Sequence, residues 1–140
     1  MIILDTNIAS VILLPNHPDL ARILGWQESS IDKDFRISAI TRAEIAYGVA
    51  ILPDGAKKRQ LAVAVNNFLQ QVASVTLPFG VKEADAYAAI VAARRSEGHP
   101  IGVLDAQIAA TAMVAGAQLA TRNVRDFDGC DVSVVNPYEP

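Results

Sequence analysis

MIILDTN, residues 1 to 7, sets the architecture. Its apolar run from Met1 to Leu4 stops at Asp5, Thr6 and Asn7, whose side chains are suited to capping a helix, so strand, turn and helix succeed one another. Outward from there the unit repeats. The first helix runs from about Ile8 to Pro15. A second begins at Pro18, where a missing amide hydrogen costs nothing, with Leu20, Ile23, Leu24 and Trp26 as its apolar face and Ser29 at its end. Phe35, Ile37 and Ala39 then alternate with Arg36 and Ser38 as a half-buried strand does, and Thr41 opens the next helix. LPDG, residues 52 to 55, breaks the chain before a helix near Ala56 to Val72, and Val75 to Leu77 is the third strand. Val81 to Glu97 is helical with Gly98 and Pro100 as its stop, and Val103 to Ala115 is helical again. Gln118 to Thr121 and Val132 to Val135 are short strands around the turn-rich RNVRDFDG, residues 122 to 129. This alternation predicts an α/β fold, its mainly parallel sheet covered on both faces and its ligands held beyond the carboxyl ends of the strands.

The chain has 140 residues, 51% of them apolar, which suits one domain spanning residues 1–140 around a single core. A charged fraction of 19% and a mean hydropathy of +0.27 argue against disorder and leave apolar surface for a partner, the expectation being a homodimer. Twelve basic against 15 acidic residues give a net charge of -3 and a pI near 5.2, so no broad basic face attracts nucleic acid. Cys130 is the single cysteine, which excludes an intramolecular disulfide and a thiolate metal cluster. No basic leader precedes the first apolar run, and Asp105, Gln107 and Gln118 break the longest apolar stretches well before the ~18 residues of a membrane span. The expectation is a cytoplasmic protein with no membrane partner.

Four acids are expected at one rim of the sheet. Asp5 leaves the first strand, Glu44 lies one helical turn beyond the second, Asp126 follows the fourth after a short turn, and Asp105 sits in the first turn of the helix feeding that strand. Unit charges 4 Å apart repel by about 4 kcal/mol at an effective dielectric near 20, so such a cluster calls for a cation. Carboxylate and water oxygens favour Mg²⁺ or Mn²⁺, whereas His17 and His99, in loops beside prolines, lack the spacing of zinc ligands. Each acid also has a structural reading. Asp5 can cap the first helix, Glu44 completes a Thr41-x-x-Glu44 capping box, and Asp105 and Asp126 can sit at the positive end of a helix dipole. Glu83, Asp85 and Glu97 among Lys82, Arg94 and Arg95 read as a solvated helix face, Asp128 and Asp131 as turn residues around Gly129, and Trp26, Tyr47, Phe68 and Tyr87 as core or interface packing. Arg42, Arg122 and Arg125 stand beside the acids, where they serve either as phosphate ligands or as solvated charges.

ILDTN at 3 to 7, VLDAQIAATA at 103 to 112, LATRNVRDF at 119 to 127 and NP at 136 and 137 together resemble PIN-domain ribonucleases, and more narrowly the VapC and FitB type toxins of bacterial type II toxin-antitoxin pairs. The resemblance covers essentially the whole chain. It implies a PIN-like three-layer sandwich with a five-stranded parallel sheet in the order 3-2-1-4-5. It also implies a metal-binding, catalytic site of Asp5, Glu44, Asp105 and Asp126 supported by Thr6, Thr121 and Asn123, with Mg²⁺ or Mn²⁺ as cofactor. RNA is the implied substrate, and an antitoxin the implied inhibitor, its complex with the toxin binding operator DNA. Phosphodiester hydrolysis by a metal-activated water fits an acid cluster that has no side-chain nucleophile.

Rival readings of the same rim lack their own signatures. A receiver module wants an acceptor Asp after the third strand and a lysine after the last, where Leu77-Pro78-Phe79 and NPYEP stand. A haloacid-dehalogenase phosphatase wants a second Asp where Asn7 stands, and no glycine-rich phosphate loop follows any strand. A catalytically silent, metal-stabilised binding protein shares every one of these features.

Overall fold

The computed structural model describes residues 1–140. In chain order the elements are β1 (Ile2–Leu4), α1 (Thr6–Leu13), α2 (Leu20–Ser29), β2 (Phe35–Ser38), α3 (Ala39–Ala50), α4 (Ala56–Gln71), β3 (Thr76–Leu77), α5 (Val81–Ser96), α6 (Val103–Ala115), β4 (Gln118–Ala120) and β5 (Val134–Val135). Short 3₁₀ turns at Ala73–Val75 and Val124–Phe127 join them. The five strands form one parallel sheet in the order β3-β2-β1-β4-β5, as expected. β1 is central, with Leu4 in register with Ile37 on one side and Ala120 on the other.

Residues 2 to 4 of β1 are buried on both faces, which is why this strand reads as an unbroken apolar run rather than an alternation. Ile2 and Leu4 enter one core with Ile8, Ile23, Trp26, Val65 and Phe68, while Ile3 enters the other with Ile90, Ile108 and Leu119. Helices therefore cover both faces of the sheet. Along α6, Ala106, Ala109, Ala110 and Ala112 have no exposed surface, so this helix is enclosed nearly all round. Gly116 ends it at φ 61°, a left-handed conformation that glycine adopts without a Cβ penalty.

Several boundaries move from the expected ones. α3 begins at Ala39, because Ser38 ends β2 and its hydroxyl accepts from Thr41 N at 2.9 Å, two residues earlier than a start at Thr41. β5 is confined to Val134–Val135, and Thr121 lies just beyond β4. Tyr47 is 66% exposed rather than packed in the core. Arg94 is 7% exposed and hydrogen-bonded to main-chain carbonyls, so it does not belong to the solvated face of α5.

Candidate functional site

Asp5 stands where β1 hands over to α1. Its main-chain N–H donates to Ala120 O at 2.9 Å, which fixes it at the carboxyl edge of the sheet. The side chain is 5% exposed, and each oxygen has partners. Oδ1 accepts from Thr6 N at 2.7 Å, and Oδ2 accepts from Thr121 Oγ1 at 2.7 Å and Asn7 Nδ2 at 2.9 Å. Asp5 is thus a helix cap and a member of the acid cluster at once, because capping occupies only one oxygen. Burial pushes its pKa up against the opposing effect of these hydrogen bonds, and the charge of Asp126 adds to the rise.

Thr121 is fully buried, and its hydroxyl is saturated: it donates to Asp5 and accepts from Asn7 Nδ2 at 3.2 Å and Asn123 N at 3.0 Å. Asn123 supports the site through this main-chain bond. Asn7, which sequence reasoning treated only as a capping residue, ties three parts of the site together, since its Oδ1 also accepts from Arg122 N at 3.2 Å. The signal for it was its place two residues after Asp5 at a strand end.

Glu44 does not form the expected capping box. The cap of α3 is Ser38, and Glu44 Oε1 instead accepts from Thr6 Oγ1 at 2.7 Å, across from α1. Asp105, half-buried in the first turn of α6, has its pKa raised by burial and then by the charges of Asp5, Asp126 and Glu44. The ion pairs of the chain, Met1 with Asp32, Arg36 with Asp34 and Lys58 with Asp54, leave all four acids without a protein cation.

As the side chains stand, no three of His, Cys, Asp and Glu surround one point closely enough to hold an ion. The donor chemistry nevertheless fits a hard divalent cation: the set is all oxygen, and the charges of the other three acids add to the burial that raises the pKa of Asp105, which a dication would relieve. Of the nearby arginines, Arg42 donates Nη1 to Leu69 O at 2.9 Å and is committed to packing α3 against α4. Arg122 lies 4.7 Å from the Tyr138 ring centroid, and with Arg125, Asp126 and Glu139 it borders a cleft of about 440 Å³ that Asp5, Glu44 and Asp105 do not line.

Comparison with known proteins identifies relatives of the whole chain. The PIN domain family model matches residues 2–131. The chain is 35% identical over 141 residues to the VapC ribonuclease Y4jK of Sinorhizobium fredii, covering 100% of this chain and 99% of that protein. It is 39% identical over 139 residues to the toxin FitB of Neisseria gonorrhoeae, with 99% of each covered. The solved structure of FitAB bound to an IR36 DNA fragment superposes with a TM-score of 0.87 at 38% identity, covering 100% of this chain and 97% of that one. With that match running through the strands, turns and helices that carry Asp5, Glu44, Asp105 and Asp126, this chain belongs to the PIN domain family.

Proposed function

We propose that this protein is a Mg²⁺- or Mn²⁺-dependent endoribonuclease and the toxin of a type II toxin-antitoxin pair, acting in the cytoplasm. The observation that carries the reading is the buried Asp5 carboxylate, held at the sheet edge by Thr121 and Asn7 and flanked through Thr6 by Glu44, with none of the four acids ion-paired to a Lys or Arg. The names of its relatives, a ribonuclease and a toxin, support the substrate and the role. Asp5 and Asp105 would hold the cation directly, and Glu44 and Asp126 would either hold it through water or orient the attacking water. Bound there, the cation supplies charge relief at the scissile phosphate and lowers the pKa of a water. The chain's own residues prepare that chemistry. Thr121 and Asn7 fix the Asp5 carboxylate, and Thr6 fixes Glu44. Arg122 and Arg125 offer guanidinium groups to the RNA backbone along the cleft beside Asp126.

An antitoxin is the proposed inhibitor. A groove of about 240 Å³ between α1, α3 and α4, lined by Leu13, Ile45, Val49, Leu61 and Val65, opens onto Thr6 and Glu44. It suits an amphipathic segment whose basic residue reaches the acids. The FitAB structure contains DNA, and with a net charge of -3 this chain leaves operator contacts to the antitoxin. Exposed Val81, Val103, Leu104 and Val114 on α5 and α6 supply apolar surface for a homodimer. The test is cleavage of RNA by purified protein with Mn²⁺ or with EDTA. Cleavage that requires the metal and disappears in Asp5→Asn and Asp105→Asn is expected. Cleavage that persists in excess EDTA, or in both variants, overturns the proposal.

A further inference from the structure

Arg94 is buried near the end of α5 without a carboxylate partner. A desolvated guanidinium costs free energy that an apolar side chain of similar volume would avoid, so its hydrogen bonds indicate what it does. Nε donates to His99 O at 2.7 Å, and Nη1 donates to Asp126 O at 2.9 Å and Asp128 O at 2.6 Å, with Cys130 Sγ at 3.5 Å. His99 belongs to the segment between α5 and α6 that leads into the first turn of α6, where Asp105 sits. Asp126 lies in the 3₁₀ turn after β4. One planar group therefore ties together the two segments that carry Asp105 and Asp126.

The end of α5 holds Arg94 in place for this. Its own carbonyl accepts from His99 N at 3.0 Å, while Gly98 at φ 76° directs the chain back on itself, so residues 94 and 99 are bonded to each other in both directions. On the far side, Gly129 lies close enough that an added Cβ would stand 3.7 Å from Arg94 Cδ and 3.1 Å from Glu97 Oε2, and its φ of 76° keeps that turn to glycine.

We propose that Arg94 is the positioning residue of the metal site: its fork of donors sets the separation of the Asp105 and Asp126 backbones, and so the affinity of the acid cluster for a divalent cation. This rests on the metal-dependent reading above. Lysine retains the charge but not the fork, and reaches the Asp126 and Asp128 carbonyls or His99 rather than both.

The experiment is calorimetric titration of Mn²⁺ into wild type, Arg94→Met, Arg94→Lys and Ile23→Val, the last a core change on the opposite face of the sheet, with RNA cleavage measured in parallel. Mn²⁺ binding about 10- to 100-fold weaker in Arg94→Met is expected, with Arg94→Lys between it and wild type. Ile23→Val is expected to lower the melting temperature while leaving the Mn²⁺ affinity alone. At saturating Mn²⁺ the cleavage lost in Arg94→Met at limiting metal is expected to return toward the wild-type rate, with KM for RNA unchanged. A folded Arg94→Met that binds Mn²⁺ within about two-fold of wild type overturns the proposal. If neither variant at 94 folds, Mg²⁺ titration of the wild-type protein by NMR decides. The Arg94 Nε–H signal is expected to shift with the same midpoint as the Asp105 and Asp126 amides, and a signal unmoved at saturation overturns the proposal. Wild-type protein that binds no Mn²⁺ removes the metal-dependent reading itself, whereas wild-type binding that the Arg94 variants leave intact removes only this inference.

Discussion

Thr121 carries more of the site than its size suggests, because its hydroxyl meets Asp5, Asn7 and Asn123 at once. Thr121→Val keeps the shape and removes the donor, so a buried carboxylate loses its side-chain hydroxyl partner. The expected cost is about 1–3 kcal/mol by denaturant unfolding, with weaker Mn²⁺ binding. Burial raises the pKa values of both Asp5 and Asp105, and this makes stability pH-dependent. As pH rises, the unfolded chain releases these protons first. The metal-free native state therefore loses stability from the ordinary carboxylate range up to the raised native values, and the penalty is fully present above them. Melts of the metal-free protein are expected to show this fall, and Asp105→Asn to flatten it. Glu44 was readable from sequence as either cap or site residue, and Ser38, which caps α3 first, removes the capping role. The bonds of Arg94 to Asp126 and of Asn7 to Arg122 were illegible for one reason: these partners come from segments remote in sequence, and no periodicity records such pairings.

Among the elements, the long helices were legible and the strands only approximately. Apolar spacing and the Gly98 stop locate α4, α5 and α6 to within a residue, whereas strands of 2 to 4 residues are too short for alternation to show where pairing begins. β2 and α3 illustrate the difficulty, since Ala39 continues the strand's alternation in sequence but follows the Ser38 cap in space. Ser38→Ala removes that cap and is expected to cost about 0.5–2 kcal/mol in thermal or denaturant unfolding, more than Thr41-x-x-Glu44 as a capping box would allow. Ala110 on α6 has no exposed surface. Ala110→Leu is expected to cost about 1–3 kcal/mol through overpacking, measured the same way.

For the whole molecule, parallel topology followed from alternating strands and helices, but the order 3-2-1-4-5 followed from family resemblance, because one chain's periodicity does not say which strands are neighbours. That order makes β1 central and sets β4 directly beside it, which brings Asp5 and Thr121 together. Asp5, Glu44, Asp105 and Asp126 come from four separate segments, and the central claim is that they act as a single cation site at the sheet edge. A metal at about 100 times its dissociation constant stabilises such a protein by roughly 2.7 kcal/mol, worth several degrees in a domain of this size. The most direct measurement is the thermal melt of wild type and Asp105→Asn, each with EDTA and with Mn²⁺. A shared site predicts that Asp105→Asn is as stable as wild type or more stable in EDTA, with a much smaller Mn²⁺-induced rise. An Asp105 that merely complements the α6 dipole predicts the reverse, a loss of about 0.3–1 kcal/mol in EDTA with the full Mn²⁺ rise retained, and that result would contradict the account.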